Sequence, residues 1–181
     1  MRLTKIAAAA VAALAISAGA AMAQASFNDA QLKSYAAART KVGAIAGAVQ
    51  GQPTAEQQSQ MAAAVTESGL TIEQFNAIAN AASADPVLKA RIAIAGATPS
   101  APGSVGASVT DDELVKFAAT SAKLRQIAPT GQPTEAQRGE ISAAVQASGL
   151  TIERFNAIAM AMGQDAHLRA RAQLADAKRG A

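Results

Sequence analysis

The chain has 181 residues, with 16 basic and 13 acidic side chains, one His, no Cys and no Trp. That length holds one ordinary domain or two small ones. The lack of Cys excludes a disulfide framework, a thiolate nucleophile and a thiolate-bound metal. Alanine, the best helix former and a poor strand former, is the commonest residue, and aromatics make up 3%, so composition points to an all-α fold.

Residues 1–5 carry Arg2 and Lys5, residues 6–19 are apolar, and Ala21-Met22-Ala23 precedes polar Gln24. This is the layout of a secretory signal peptide over 1–23, cut between Ala23 and Gln24. The apolar run, about 18 residues at most and Ala-rich, is short for a membrane span. The expected product is exported, periplasmic or secreted, with no stable membrane insertion after cleavage. Removing Arg2 and Lys5 leaves 14 of the 16 basic groups against 13 acidic ones. A net charge of +1 lacks the basic excess that binds nucleic acid by displacing counterions, so no nucleic-acid partner is expected.

The rest reads as two copies of one helical unit. Residues 51–95 align with 131–175 at an offset of 80, with 25 of 45 positions identical. Upstream the offset becomes 82, with Leu32 matching Leu114 and Tyr35 matching Phe117. The expected domains are unit 1 at 24–95, a Pro/Gly/Ser linker at 96–108 and unit 2 at 109–181, each a small bundle of three to four helices.

In chain order, the first helix of each copy carries one apolar stripe. It is Leu32, Tyr35, Val42, Ile45 and Val49 in the first, and Leu114, Phe117, Ser121, Leu124 and Ile127 in the second. Thr110 and Glu113 form a capping box ahead of the second stripe. Pro53 and Pro133 stop these helices, and Thr54 and Thr134 cap the next ones, whose buried faces hold Met61 with Val65 and Ile141 with Val145. Gly69 and Gly149 close them in the left-handed conformation. Thr71 and Thr151 then cap a third helix. Leu70 and Phe75, like Leu150 and Phe155, flank that cap as hydrophobic staples, and Ile78 and Ile158 continue the buried stripe. Asp85 and Asp165 cap a last short helix, Asp85 being followed by Pro86 at the first helical position.

Three stretches carry a resemblance: Phe27-Asn28-Asp29-Ala30-Gln31-Leu32, the run from Gly69 to Ala79, and Asp85-Pro86-Val87-Leu88-Lys89-Ala90-Arg91. With these the unit resembles a family of short exported bacterial domains of unknown function. The second copy matches through 149–159 and through Asp165, Leu168 and Arg171, departing at Ala166 and Met160. The resemblance implies a helical exported module and carries no activity, substrate, cofactor or catalytic residue.

Candidate chemistry is sparse. Glu73, Asn76 and Asp85, with Glu153, Asn156 and Asp165, could serve acid–base work or a hard cation, but each has a simpler role in a helix cap, first turn or exposed face. His167 corresponds to Val87 and has no partner His or Cys. Lys89, Arg91, Arg169, Arg171, Lys178 and Arg179 read as cations near helix C-termini, with an anionic polymer or lipid as the other reading. Met160 and Met162 are either an adaptable apolar surface or packing. No catalytic, metal or cofactor site is expected. With roughly 15 large apolar residues per unit at about 2 kcal/mol each, one unit alone is marginal, which favours further burial between copies or by self-association. The functional expectation is a non-enzymatic interaction or structural protein of the cell envelope, with an unidentified protein or envelope component as partner. The alternative is a carrier of a small apolar ligand or lipid, and an enzyme is third.

Overall fold

The structure, a computed structural model, describes residues 27–49 and 51–180. The expected leader 1–23 and its cleavage site at Ala23 and Gln24 lie outside the described residues. The fold is all-α, and no strand occurs among the described residues. In chain order the helices are α1 (Asp29–Gly47), α2 (Ala55–Thr66), α3 (Ile72–Ala84), α4 (Pro86–Gly96), α5 (Val105–Ser108), α6 (Asp111–Ile127), α7 (Glu135–Ala147), α8 (Ile152–Gln164) and α9 (Ala166–Arg179). No described helix is long and apolar enough to cross a membrane.

Local chemistry sets the helix starts. Asn28, Thr54, Thr110 and Thr134 each accept from the backbone N–H three residues on, and Gln31, Gln57, Glu113 and Gln137 reach back to the cap N–H. These reciprocal boxes satisfy two orphan donors apiece. After α2 and α7, Gly69 and Gly149 turn the chain at φ +85° and +80°, a conformation that costs glycine little.

The chain divides into two compact units between Ala81 and Ala82. In the first, α1 packs on α2, burying Leu32, Tyr35, Ala38 and Val42 of α1 with Met61, Ala64 and Val65 of α2. Leu70, Phe75 and Ile78 complete its buried set. The Tyr35 and Phe75 rings meet at 4.8 Å between centroids, tilted by 37°, within the range of favourable aromatic pairs. Burial raises the Tyr35 phenol pKa above its ordinary value, against the opposing charge of Arg39.

In the second unit α9 is central, lying against α4, α6 and α8. Its core joins Leu114, Phe117, Leu150, Ile158, Leu168 and Ala172, with Phe155 and Met162 packed at the margin. Phe117 and Phe155 stack at 4.7 Å.

This division differs from the boundary read from the repeat, which ended the first unit at 95. The reason is the packing of α4 on α9. Ala90 and Ala170, 80 residues apart in sequence, are each 3% exposed, and small side chains let two helices approach closely. Residues 96–108 also depart from a simple linker. They contain α5, capped by the Ser104 hydroxyl, which packs on α8 and α9, and they lead into Val109, 2% exposed.

Candidate functional site

An arm of the chain, residues 98–106, lies along α8 in the second unit and leaves an open groove of about 760 Å³ between them. Its walls include Pro99, Val105, Ala157, Met160 and Ala161, and Asp165 also lines it. α8 supplies its wall because Ile158 points into the core at 0% exposure, which turns Met160 and Gln164 outward. Met160 is 76% exposed.

Three charged side chains fasten the arm and the turn that follows it. Asp165 accepts from the Leu168 N–H at 2.9 Å, capping α9, and its carboxylate is also hydrogen-bonded to the Ser100 hydroxyl. The Leu168 N–H first, and Ser100 next, hold the Asp165 carboxyl below its ordinary pKa. Gly106 passes so close that an added Cβ would collide with the Asp165 carboxylate and crowd the Ser100 hydroxyl. Arg171 donates to the Val109 carbonyl at 2.9 Å, the Gly106 carbonyl at 3.4 Å and the Asp111 carboxylate at 2.6 Å. Arg154 donates through Nε and Nη2 to the two Glu113 oxygens at 2.7 and 2.9 Å, and through Nη2 to the Ser108 carbonyl at 3.2 Å.

The fork-on-carboxylate geometry of Arg154 is the strong form of an ion pair. The Arg154 guanidinium, followed by the Thr110 N–H, lowers the Glu113 pKa from its ordinary 4.5 to about 2. Between the aligned stretches 68–79 and 148–159, Arg154 is also the one difference, standing where the earlier stretch has Gln74. Gln74 accepts from the Thr71 N–H at 3.0 Å and its own N–H donates to the Thr71 hydroxyl at 3.1 Å. Arg154 keeps the second bond, to Thr151. As a donor-only side chain it cannot make the first, and it reaches across to α6 instead.

The other candidate residues fall into structural places. Leu70 and Phe75 are buried, Leu150 is buried and Phe155 half-buried. Asp85 caps α4 through the Val87 and Leu88 N–H groups at 2.8 and 3.1 Å. Glu73 and Glu153 are exposed in first turns. The Glu73 carboxyl has a lowered pKa, chiefly through its own backbone N–H and then the Thr71 hydroxyl. Arg169 donates to the Met162 and Gly163 carbonyls, a cation closing the C-terminal turn of α8. Arg171 does not act as a C-terminal cation. It sits mid-α9 and binds the carbonyls of Gly106 in the arm and Val109 in the turn that follows.

Ser100, Asp165 and His167 do come together, with Ser100 Oγ 3.5 Å from His167 Nδ1. Their order does not suit nucleophilic catalysis. The hydroxyl lies between the carboxylate and the imidazole, whereas an activated serine needs the imidazole between itself and the carboxylate. A carboxylate of lowered pKa is also a weak general base. Among the described residues no group of three or more His, Asp or Glu is placed to hold a metal ion. The arrangement can fasten the arm and present Met160 and small apolar neighbours to a binding partner.

Residues 4–92 match a family model described as a domain of unknown function, DUF4168, so this part of the chain is similar to that family. No curated protein and no solved structure matches the chain.

Proposed function

We propose that the chain is a non-enzymatic, exported helical interaction module built from a duplicated unit, and that the Met160 groove takes an apolar side chain of an envelope protein. The observation that carries this reading is how the charges around the groove are used. Asp165, Arg171, Arg154 and Glu113 are each committed to fastening the arm or its following turn, so the exposed wall on α8 is Met160 with Ala157, Ala161 and the uncharged Gln164. A concave surface lined mainly by apolar side chains is the usual form of a binding site, and Met adapts to varied partners. Export rests on the three-part leader read from the sequence.

Crosslinking in the native host with wild type and Met160→Glu tests it. A reproducible crosslinked protein that is lost in the variant, with melting unchanged, supports the reading. Equal capture by both chains, or capture of nothing, removes it. The groove volume of about 760 Å³ also lies in the range of small-ligand sites, which favours a lipid or apolar-ligand carrier as the second reading. A stoichiometric bound small molecule in native mass spectra of host-purified protein would select that one.

A further inference from the structure

We infer that Met160 is a peroxide-reactive site, oxidised to the sulfoxide in the folded chain ahead of the other described methionines. The inference does not depend on the groove having a partner. The three described methionines differ sharply in access. Met61 is 9% exposed in the first unit, Met160 is 76% exposed, and Met162 packs at the margin of the second unit's core. Met160 and Met162 are two residues apart on one helix, so the turn of α8 sends one side chain outward and the other inward.

The chemistry needs only a hydroperoxide. A sulfur lone pair of the Met160 thioether attacks the terminal peroxide oxygen and the O–O bond breaks. The oxygen stays on sulfur as a sulfoxide, and the displaced alkoxide or hydroxide takes a proton to leave as alcohol or water. Sulfur is oxidised by two electrons and the peroxide is reduced by two. The reaction requires an open approach to the thioether sulfur, and methionine susceptibility follows that access. The product is polar and chiral, so a wall of the groove changes from apolar to polar. Since Met160 supports no core contact, the fold has no reason to give way.

The test is a hydrogen peroxide time course on the full chain, folded and in denaturant, read by peptide mass spectrometry. Backbone fragment ions separate Met160 from Met162 within one tryptic peptide. In denaturant the three methionines should react at similar rates. On folding, Met160 should keep its rate while Met61 and Met162 slow about fivefold or more. Met160→Leu should remove the fast oxidation and leave the slow ones unchanged. Slowing of Met160 on folding to the level of Met162, or oxidation of Met162 as fast as Met160 in the folded chain, would overturn the inference. So would a loss of helix signal in step with Met160 oxidation, because the reaction would then follow unfolding.

Discussion

Arg154 on α8 and Glu113 on α6 form a two-pronged ion pair across 41 residues of chain, with N···O distances of 2.7 and 2.9 Å. Neither charge appears at the aligned positions of the first copy, which hold Gln74 and Gln31. Those two glutamines close capping boxes on Thr71 and Asn28. One position has exchanged a local bond for a tertiary one, and the position it reaches now carries the opposite charge.

The pair should be energetically coupled. Arg154→Gln restores the side chain that serves in the first copy, so α8 keeps its cap and regains an acceptor for the Thr151 N–H. The cost is the pairing with Glu113 and the bond to the Ser108 carbonyl, together about 1–2 kcal/mol. A double-mutant cycle with Glu113→Gln should give a coupling near 1 kcal/mol. Additive effects in denaturant unfolding would mean the pair is ornamental.

The same pair sets part of the acid stability. The Glu113 carboxyl titrates at about 2 in the folded chain against an ordinary 4.5. Its folded pKa is lowered, so its contribution is complete above the unfolded value and disappears as pH falls from about 4.5 toward 2. The lowered Asp165 carboxyl acts in the same direction. Glu113→Gln keeps an acceptor for the Thr110 N–H and removes only the charge. Wild type should therefore melt above the variant at neutral pH, and the gap should close as pH falls to about 2. A gap independent of pH would show that the ionised form contributes nothing.

Two glycines should respond in opposite ways to the same methyl group. Gly106 faces the Asp165 carboxylate and the Ser100 hydroxyl with no room for a Cβ, whereas Gly139, inside α7 and exposed, has nothing within 4 Å of an added Cβ. Gly106→Ala should destabilise by about 1–3 kcal/mol, as overpacking does. Gly139→Ala should stabilise by about 0.5–1 kcal/mol by reducing the freedom of the unfolded chain and raising helix propensity. Thermal melts of the two variants check both signs. A neutral Gly106→Ala would show that the arm moves away from α9 at little cost.

The helices and their caps were legible because their causes are local. Asn28 with Gln31 and Thr134 with Gln137 satisfy each other three residues apart, and Leu32, Tyr35 and Val42 recur at the helical period. The groove was not legible, because residues 96–108 have a linker composition. What holds them is a set of bonds to carbonyls, such as that from Arg171 to Val109, and any sequence offers carbonyls. The pairing of α4 with α9 was hidden for a related reason: Ala90 and Ala170 look like ordinary helix-forming alanines. One signal was available. Gln31 and Gln74 become Glu113 and Arg154 in the second copy, opposite charges appearing at two aligned positions, which is the mark of a contact.

Arg171 offers the most direct test of whether the arm is fastened or merely lies nearby. It donates to two carbonyls, of Gly106 and Val109, and to the Asp111 carboxylate, so it spans α5 and the start of α6. The fork is needed, because Arg171 reaches the Gly106 carbonyl through Nη1 and the Val109 carbonyl and Asp111 carboxylate through Nη2, whereas a lysine ammonium offers all its donors from a single nitrogen. Arg171→Lys should therefore behave almost like Arg171→Met at the arm, even though it preserves the charge. Both should raise amide hydrogen exchange around Ser108 and Val109, whose N–H groups bond to the Ser104 and Val105 carbonyls at 3.2 and 3.1 Å, by roughly tenfold if about 1.4 kcal/mol of local stability is lost. Exchange in α7, which Arg171 does not touch, should stay as in wild type. If Lys restores the protection that Met loses, charge alone holds the arm. If neither changes exchange there, the packing of Val109 and α5 suffices without the arginine.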